Sequence, residues 1–181
     1  MPFRFALPVA AALALAVIVA PARSDAYERQ WHAGLSLGYG FLSEDPPAHG
    51  FGGGLHLTYG LSDVWNGMLE IDVTGYPSEN LLLPSASIGV GYVFDVLQWV
   101  PYVGLLVGGY DLWTVGVECG TGATVACHQG RIGGSIPFGL DYQLSRSVAV
   151  GAQGRVHLLL LGESPSMLVT AFARAEILWG Y

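Results

Sequence analysis

The 181-residue chain contains no lysine. Its seven basic residues are all arginine and stand against 14 aspartates and glutamates, for a formal charge of −7. A chain of that sign cannot neutralise a phosphate backbone, so nucleic-acid binding is excluded as a function class. Charge of either sign is scarce. Charged residues make up 12% of the chain, about half of the ~25% of an ordinary soluble domain. With 52% apolar residues, disorder is excluded as well. Beyond residue 22 there is no apolar run of 18 residues, the longest being 99–110, which Pro101 and three glycines interrupt. No transmembrane helix is therefore expected in that part of the chain. The length suits one domain and excludes a repeat array or a large multidomain enzyme.

The start of the chain reads differently from the rest. Arg4 precedes an apolar run from Phe5 to Ala22, and small residues stand at two cleavage patterns, Ala20-Pro21-Ala22 and Ser24-Asp25-Ala26. A secretory signal is expected over residues 1–26, cut after Ala22 or Ala26, followed by one domain over 27–181.

What is abundant is glycine, 26 residues, about twice the ordinary ~7%, and it recurs with a period of two. Trp31, Ala33, Leu35, Leu37, Tyr39 and Phe41 alternate with His32, Gly34, Ser36, Gly38 and Gly40. The same beat continues from Phe51, Trp65, Ala86, Val103, Ile132, Val148 and Val169. A period of two is that of a β-strand with one apolar face. Eight strands emerge, and residues 27–181 leave about 19 for each strand with its connection, which suits membrane-crossing strands of roughly 9–11 residues or slightly more. Connections alternate in character. Ser62–Val64, Val96–Val100 and Ser145–Ser147 are short, whereas Ser43–Gly50, Pro77–Pro84, Thr114–His128 and Gly162–Ser166 are longer and more polar. Three short turns and four longer loops predict an all-β, eight-stranded, antiparallel up-and-down transmembrane barrel with both termini at the short-turn end. Trp31, Tyr59, Trp65, Tyr92, Trp99, Tyr142, Trp179 and Tyr181 fall where strands would cross the interfaces, which suits amphipathic rings. The glycine-rich polar face then points inward, because a narrow barrel is filled by its own side chains. A solvated outer face would carry lysines and glutamates.

The segments VPYVGLLVGGYDLW (100–113) and GLDYQLSRSVAVGAQGRV (139–156) resemble the fifth strand and the sixth-to-seventh hairpin of OmpA-type outer-membrane β-barrel domains. The last residues, AEILWGY, with Ile177, Trp179 and the terminal Tyr181, are similar to the signal that directs such barrels into the membrane. The resemblance implies an outer-membrane location, contact with outer-membrane lipids and lipopolysaccharide, insertion by the barrel-assembly machinery, and a monomer. It brings no cofactor. Because the chain stops at Tyr181, the peptidoglycan-binding role that some relatives carry in an extra domain is not expected.

Three constellations could carry chemistry. Cys119 and Cys127 share the longest loop and read as one disulfide. Closing about nine residues is worth roughly 2.6 kcal/mol on chain-entropy grounds, and a metal site using His128 lacks further ligands. By parity, His32, His56, Glu70, Asp72, Arg131, Arg155, His157, Arg174 and Glu176 project inward, with His56 opposite Glu70 across the second hairpin. Such a set reads as an ionic network filling the lumen, since unpaired charge in a confined space is costly; the sharper reading is a proton-sensitive gate or solute path. Outer-membrane lipid A deacylases and palmitoyltransferases are small barrels that use a serine and a histidine, but here His157 precedes four leucines, and Ser43, His49, Ser164 and Ser166 are scattered. The glycines of 104–109 have no following lysine, so a phosphate-binding loop is excluded. The expectation is a non-catalytic scaffold presenting its loops outward, with a narrow channel for small solutes as the alternative. No ligand is legible.

Overall fold

In the computed structural model, the described residues are 28–43, 46–94, 98–114, 127–160 and 166–180, with the backbone alone at 118–119 and 123–124. Eight strands alternate in direction: β1 (Trp31–Ser43), β2 (Ala48–Gly60), β3 (Trp65–Tyr76), β4 (Leu81–Val93), β5 (Trp99–Thr114), β6 (Cys127–Ser145), β7 (Val148–Leu159) and β8 (Ser166–Trp179). Each pairs antiparallel with its sequence neighbours, and β1 closes on β8 from Trp31↔Trp179 to Ser43↔Met167. The protein is a closed eight-stranded up-and-down barrel, as the alternation predicts. Closure leaves no free edge, so every strand backbone finds partners within the sheet. Proline cannot donate to the ladder, and its effect is local: pairing lapses at Pro84 on β4 and at Pro137 on β6, and resumes on either side. Among the described residues no helix is long and apolar enough to cross a membrane, which says nothing of strands.

The two faces separate as the parity predicts. Outward side chains are apolar and bare, Leu37 at 73% and Phe51 at 75% exposure, with Leu35, Leu55, Ile71, Ile88, Leu105, Val107, Ile132 and Phe138 in the same band. Inward side chains are polar and buried, Glu70 at 2% and Arg155 at 1%. A soluble protein of this size does not expose a continuous apolar belt. At the end where the short turns lie, here the turn end, the belt carries aromatic clusters: Trp31 with Tyr59 and Trp179, Trp65 with Tyr92, and Trp99 with Tyr142.

Two expected loops are corrected. The connection after β1 covers only 44–47, and that after β3 only Pro77–Asn80, a single 3₁₀ turn closed by Asn80 in the left-handed region. Neither exceeds the turn at 61–64. The strands continue past the outward apolar belt because their inward residues become apolar there. Leu42, Ala48, Tyr76, Leu81, Leu83, Tyr110, Leu112, Leu159 and Leu168 form one buried cluster at the loop end. That burial keeps the hairpins paired where polar loops were expected. A two-stranded ribbon, Glu118–Cys119 with Ala123–Thr124, lies within the one long connection, 115–126.

The signal expected over 1–26 and Tyr181 of the insertion signal lie outside the described residues. Ile177 and Trp179 point outward at the turn end of β8. Among the described residues no cysteine is free. The Cys119 side chain lies outside them, so its bridge to Cys127 is taken up below as a proposal.

Candidate functional site

The lumen is filled in layers, and glycine decides where each large side chain goes. His56 stands directly opposite Glu70 in the β2–β3 register, as the hairpin arithmetic requires. The two side chains nevertheless part. On the other flank of β2, His56 is paired with Gly34, and Gly34 is paired in turn with Glu176 on β8. With no side chain at Gly34 in the way, the imidazole lies over β1 and its Nε2 comes within 3.2 Å of Glu176 Oε1. A Cβ on Gly34 would fall 2.5 Å from that nitrogen and 2.6 Å from Cε1. Asp72 leans over Gly54, Tyr102 over Gly139 and Asp141 over Gly151 in the same way. The inward glycines are thus seats for ionic and aromatic side chains of the next strand.

Two ionic groups result. In the middle of the lumen Arg155 on β7 reaches across to β3, where it pairs with Glu70 and places Nη1 2.7 Å from Asp72 Oδ2. Gln153 donates to Glu70 Oε1 at 3.0 Å. Toward the turn end Glu176 is a hub. Arg174 Nη2 donates to it at 2.6 Å, His32 Nδ1 bonds to it at 3.2 Å, and His56 Nε2 stands 3.2 Å from its Oε1. Arg174 also donates to the Tyr102 hydroxyl, and its guanidinium lies 5.1 Å from that ring's centroid. Buried charges of this kind are tolerated only when paired and hydrogen-bonded.

Of the sequence-predicted lumen set, the structure brings together His32, His56, Glu70, Asp72, Arg155, Arg174 and Glu176. His157 sits one layer nearer the loop end, bonded to the Tyr110 hydroxyl at 3.0 Å and to Thr170 Oγ1 at 3.3 Å rather than to a carboxylate. Arg131 is further out still. It donates to Ser166 Oγ and Gln129 Oε1, both at 3.1 Å, and so does not join the carboxylates of the inward set. The reason is length: β6 runs on to Cys127, which lifts residue 131 to the rim. Sequence reasoning missed Tyr102, Asp141 and Gln153 as network members. Their inward parity was legible, but their partners lie on strands that are not their sequence neighbours.

Above these layers the apolar cluster closes the loop end. At the turn end, by contrast, a cavity of ≈ 30 Å³, counted as space open to water centres, is lined by His32, Thr58, Asn66, Asp141, Arg174 and Glu176 among others. At roughly 10–15 Å³ per water centre it holds two or three waters. On the outer surface at the loop end, Asp111 accepts from the Trp113 indole and from His128 Nδ1. Among the described residues no group of three metal-ligating side chains is gathered.

No family description matches the sequence, and no curated protein matches it. Solved structures do. Neisserial surface protein A (NspA) superposes with a TM-score of 0.66 at 17% identity, covering 83% of this chain and 97% of that one. The N-terminal β-barrel domain of Pseudomonas aeruginosa OprF gives 0.57 at 12% identity, covering 84% and 98%. Ail, the attachment invasion locus protein of Yersinia pestis, solved with the heparin analogue sucrose octasulfate, gives 0.58 at 14% identity, covering 84% and 99%. The fold is that of the small eight-stranded outer-membrane barrels, and at such identities the likeness speaks of the fold alone.

Proposed function

We propose that the protein is an exported, non-catalytic outer-membrane barrel whose lumen is closed by its own side chains and whose loop end is presented to the outside. The observation that carries this reading is the inversion of its faces: bare leucine and phenylalanine outside, paired arginine and glutamate inside. In this reading residues 1–26 are the export signal, Ile177, Trp179 and Tyr181 direct insertion, a Cys119–Cys127 disulfide braces the one long outer connection, and lipids and lipopolysaccharide surround a monomer. The heparin-analogue complex of Ail does not transfer. The loop-end connections carry Glu44, Asp45, Glu79, Glu118 and Glu163 and no arginine or lysine, with Arg131 of β6 the basic residue beside them, a rim that repels polyanions.

The narrow-channel alternative is favoured by one observation, the water-sized cavity at the turn end. It is opposed by the fully buried Leu42, Leu83, Leu159 and Leu168 at the other end, because an apolar constriction excludes water. The test has two parts. Extracted protein is expected to migrate faster on a gel before boiling than after, and an epitope after Thr121 is expected to be labelled on intact cells while one after Arg146 is hidden until the membrane is opened. Recovery of the chain as a soluble protein overturns the barrel, and reversed labelling overturns the orientation. Steady current from the unmutated protein in a planar bilayer would replace the scaffold by the channel.

A further inference from the structure

Beyond the apolar cluster the loop end opens into a pocket of ≈ 550 Å³, whose lining includes Glu79, Leu81, Leu112, Thr114, Gln129 and Arg131. That size lies within the roughly 300–1,000 Å³ of small-molecule sites. Leu81 and Leu112 are also members of the buried cluster, at 8% and 7% exposure, so they give the pocket an apolar floor. The pocket therefore ends on the loop-end seal instead of continuing into the lumen.

Two opposite charges stand on its wall without meeting. Glu79 comes from the turn between β3 and β4 and is exposed, whereas the half-buried Arg131 comes from β6, with β4 and β5 between them in the sheet. Among the described residues neither has an ion-pair partner. Arg131 donates only to neutral oxygens, Ser166 Oγ and Gln129 Oε1, and its Nε is buried without an acceptor. A guanidinium is a fixed fork of donors that a carboxylate fits best. A carboxylate on one strand pair and a guanidinium on another, around an apolar floor, complement a molecule with the reverse arrangement: its ammonium toward Glu79, its carboxylate toward Arg131, its apolar body on Leu81 and Leu112. Such a molecule has no net charge. The acidic connections, with Glu44, Asp45, Glu118 and Glu163, admit it while repelling an anion that lacks the ammonium.

We propose that the loop-end pocket binds small zwitterions with an apolar body, the chemistry shared by apolar amino acids and short apolar peptides. The ligand is held at the mouth and not passed on, because the floor it rests on is the seal. The proposal rests on the barrel reading only for which membrane face the pocket opens to.

Calorimetric titration of the folded barrel in detergent micelles at neutral pH tests it. The probes are leucine and trileucine, each compared with its C-terminal amide, which lacks the carboxylate, and its N-acetyl form, which lacks the ammonium. Saturable binding of a zwitterion is expected; binding of leucine assigns free amino acids as the source, and binding of trileucine alone assigns peptides. The amide is expected to bind about tenfold more weakly, the loss of a charge-assisted bond. A smaller, severalfold loss is expected for the N-acetyl form, because Glu79 is exposed and screened. Arg131→Gln is expected to weaken the zwitterion about as much as amidation does and to leave the amide unchanged, whereas Glu79→Gln weakens the zwitterion and leaves the N-acetyl form no weaker. Arg146→Gln, in the turn between β6 and β7 at the other end, is expected to change nothing. No saturable binding by either zwitterion overturns the site. Equal losses for zwitterion and amide in Arg131→Gln would make Arg131 a structural residue of the mouth, and N-acetyl binding as tight as the zwitterion's would assign the pocket to simple carboxylates. A response to Arg146→Gln would place binding at the wrong end. Unboiled gel mobility of each variant separates these results from misfolding and from failure of the barrel reading itself.

Discussion

Arg155 is 1% exposed, and among the described residues its guanidinium is the one cation in contact with Glu70 and Asp72, with Gln153 bonding to Glu70. Replacing it with leucine keeps much of the volume and leaves two carboxylates in the lumen without their partner. Breaking a buried pair by removing one member costs about 3–5 kcal/mol, chiefly the cost of the stranded charge. Replacing all members together costs far less and is often neutral. Arg155→Leu is therefore expected to lose about 3–5 kcal/mol in urea unfolding from lipid vesicles, followed by tryptophan fluorescence and by gel mobility before boiling. The triple variant Arg155→Leu, Glu70→Gln, Asp72→Asn is expected to recover most of that loss, although it removes more native contacts. If the single variant cost under about 1 kcal/mol, or the triple were worse than the single, the lumen layer would not be held by charge pairing, and the reading of the network as structural filling would fail.

Leu105 and Leu106 are adjacent, yet one is 61% exposed on the belt and the other fully buried in the lumen. Leu105→Arg is expected to cost roughly 2–4 kcal/mol by placing charge in lipid, whereas Leu105→Ala changes little and Leu106→Ala costs about 2–5 kcal/mol through the cavity it opens; unfolding in vesicles measures all three. Gly34→Ala places a Cβ against the His56 imidazole and is expected to cost about 1–3 kcal/mol by overpacking, with a shift of the His56 ring resonances as its local signature. Outside the membrane band, the indole of Trp113 and then His128, each bonding to Asp111, hold its carboxyl below the usual carboxylate range. A depressed native value stabilises the clasp above the ordinary Asp value of about 3.9 and loses that contribution as pH falls through the lower native one, so the Trp113 indole resonance is expected to move only in that acid range and to stop moving in Asp111→Asn.

The barrel was legible because its signal is repeated. Eight alternations, each with a bare outward set such as Leu35 and Leu37 or Ile88 and Val90, point to one conclusion, and each register follows from a hairpin turn. What stayed hidden depends on contacts across the lumen. The pairing of His56 with Glu70 in register was readable from the turn at 61–64, but the route of His56 to Glu176 depends on Gly34, two strands away from Glu70 in the sheet. Arg155 with Glu70 joins β7 to β3, and no periodicity along one strand states that distance. The loop-end apolar cluster was missed for another reason. Leu42, Leu81 and Leu83 interrupt the polar inward set, so an alternation rule that expects polar residues inside ends each strand too soon.

Two unlike seals now stand in series along one lumen, and their arrangement makes a prediction that neither makes alone. The middle seal is electrostatic, Arg155 tied to Glu70 and Asp72; opening it admits water but leaves charges that bind ions. The loop-end seal is apolar, with Leu83 and Leu168 at 1% exposure against Tyr76 and Leu42; opening it removes a dewetted constriction but leaves the charge pair beneath. Resistances in series are governed by the larger, so Leu83→Ala with Leu168→Ala is expected to give no steady current in a planar bilayer, and Glu70→Gln with Arg155→Gln none either. All four changes together are expected to conduct, with an effect far above the sum of the two pairs. Current from the leucine pair alone would show that the ionic layer is already permeable to ions. Current from the polar pair alone would show that the apolar cluster does not close the barrel.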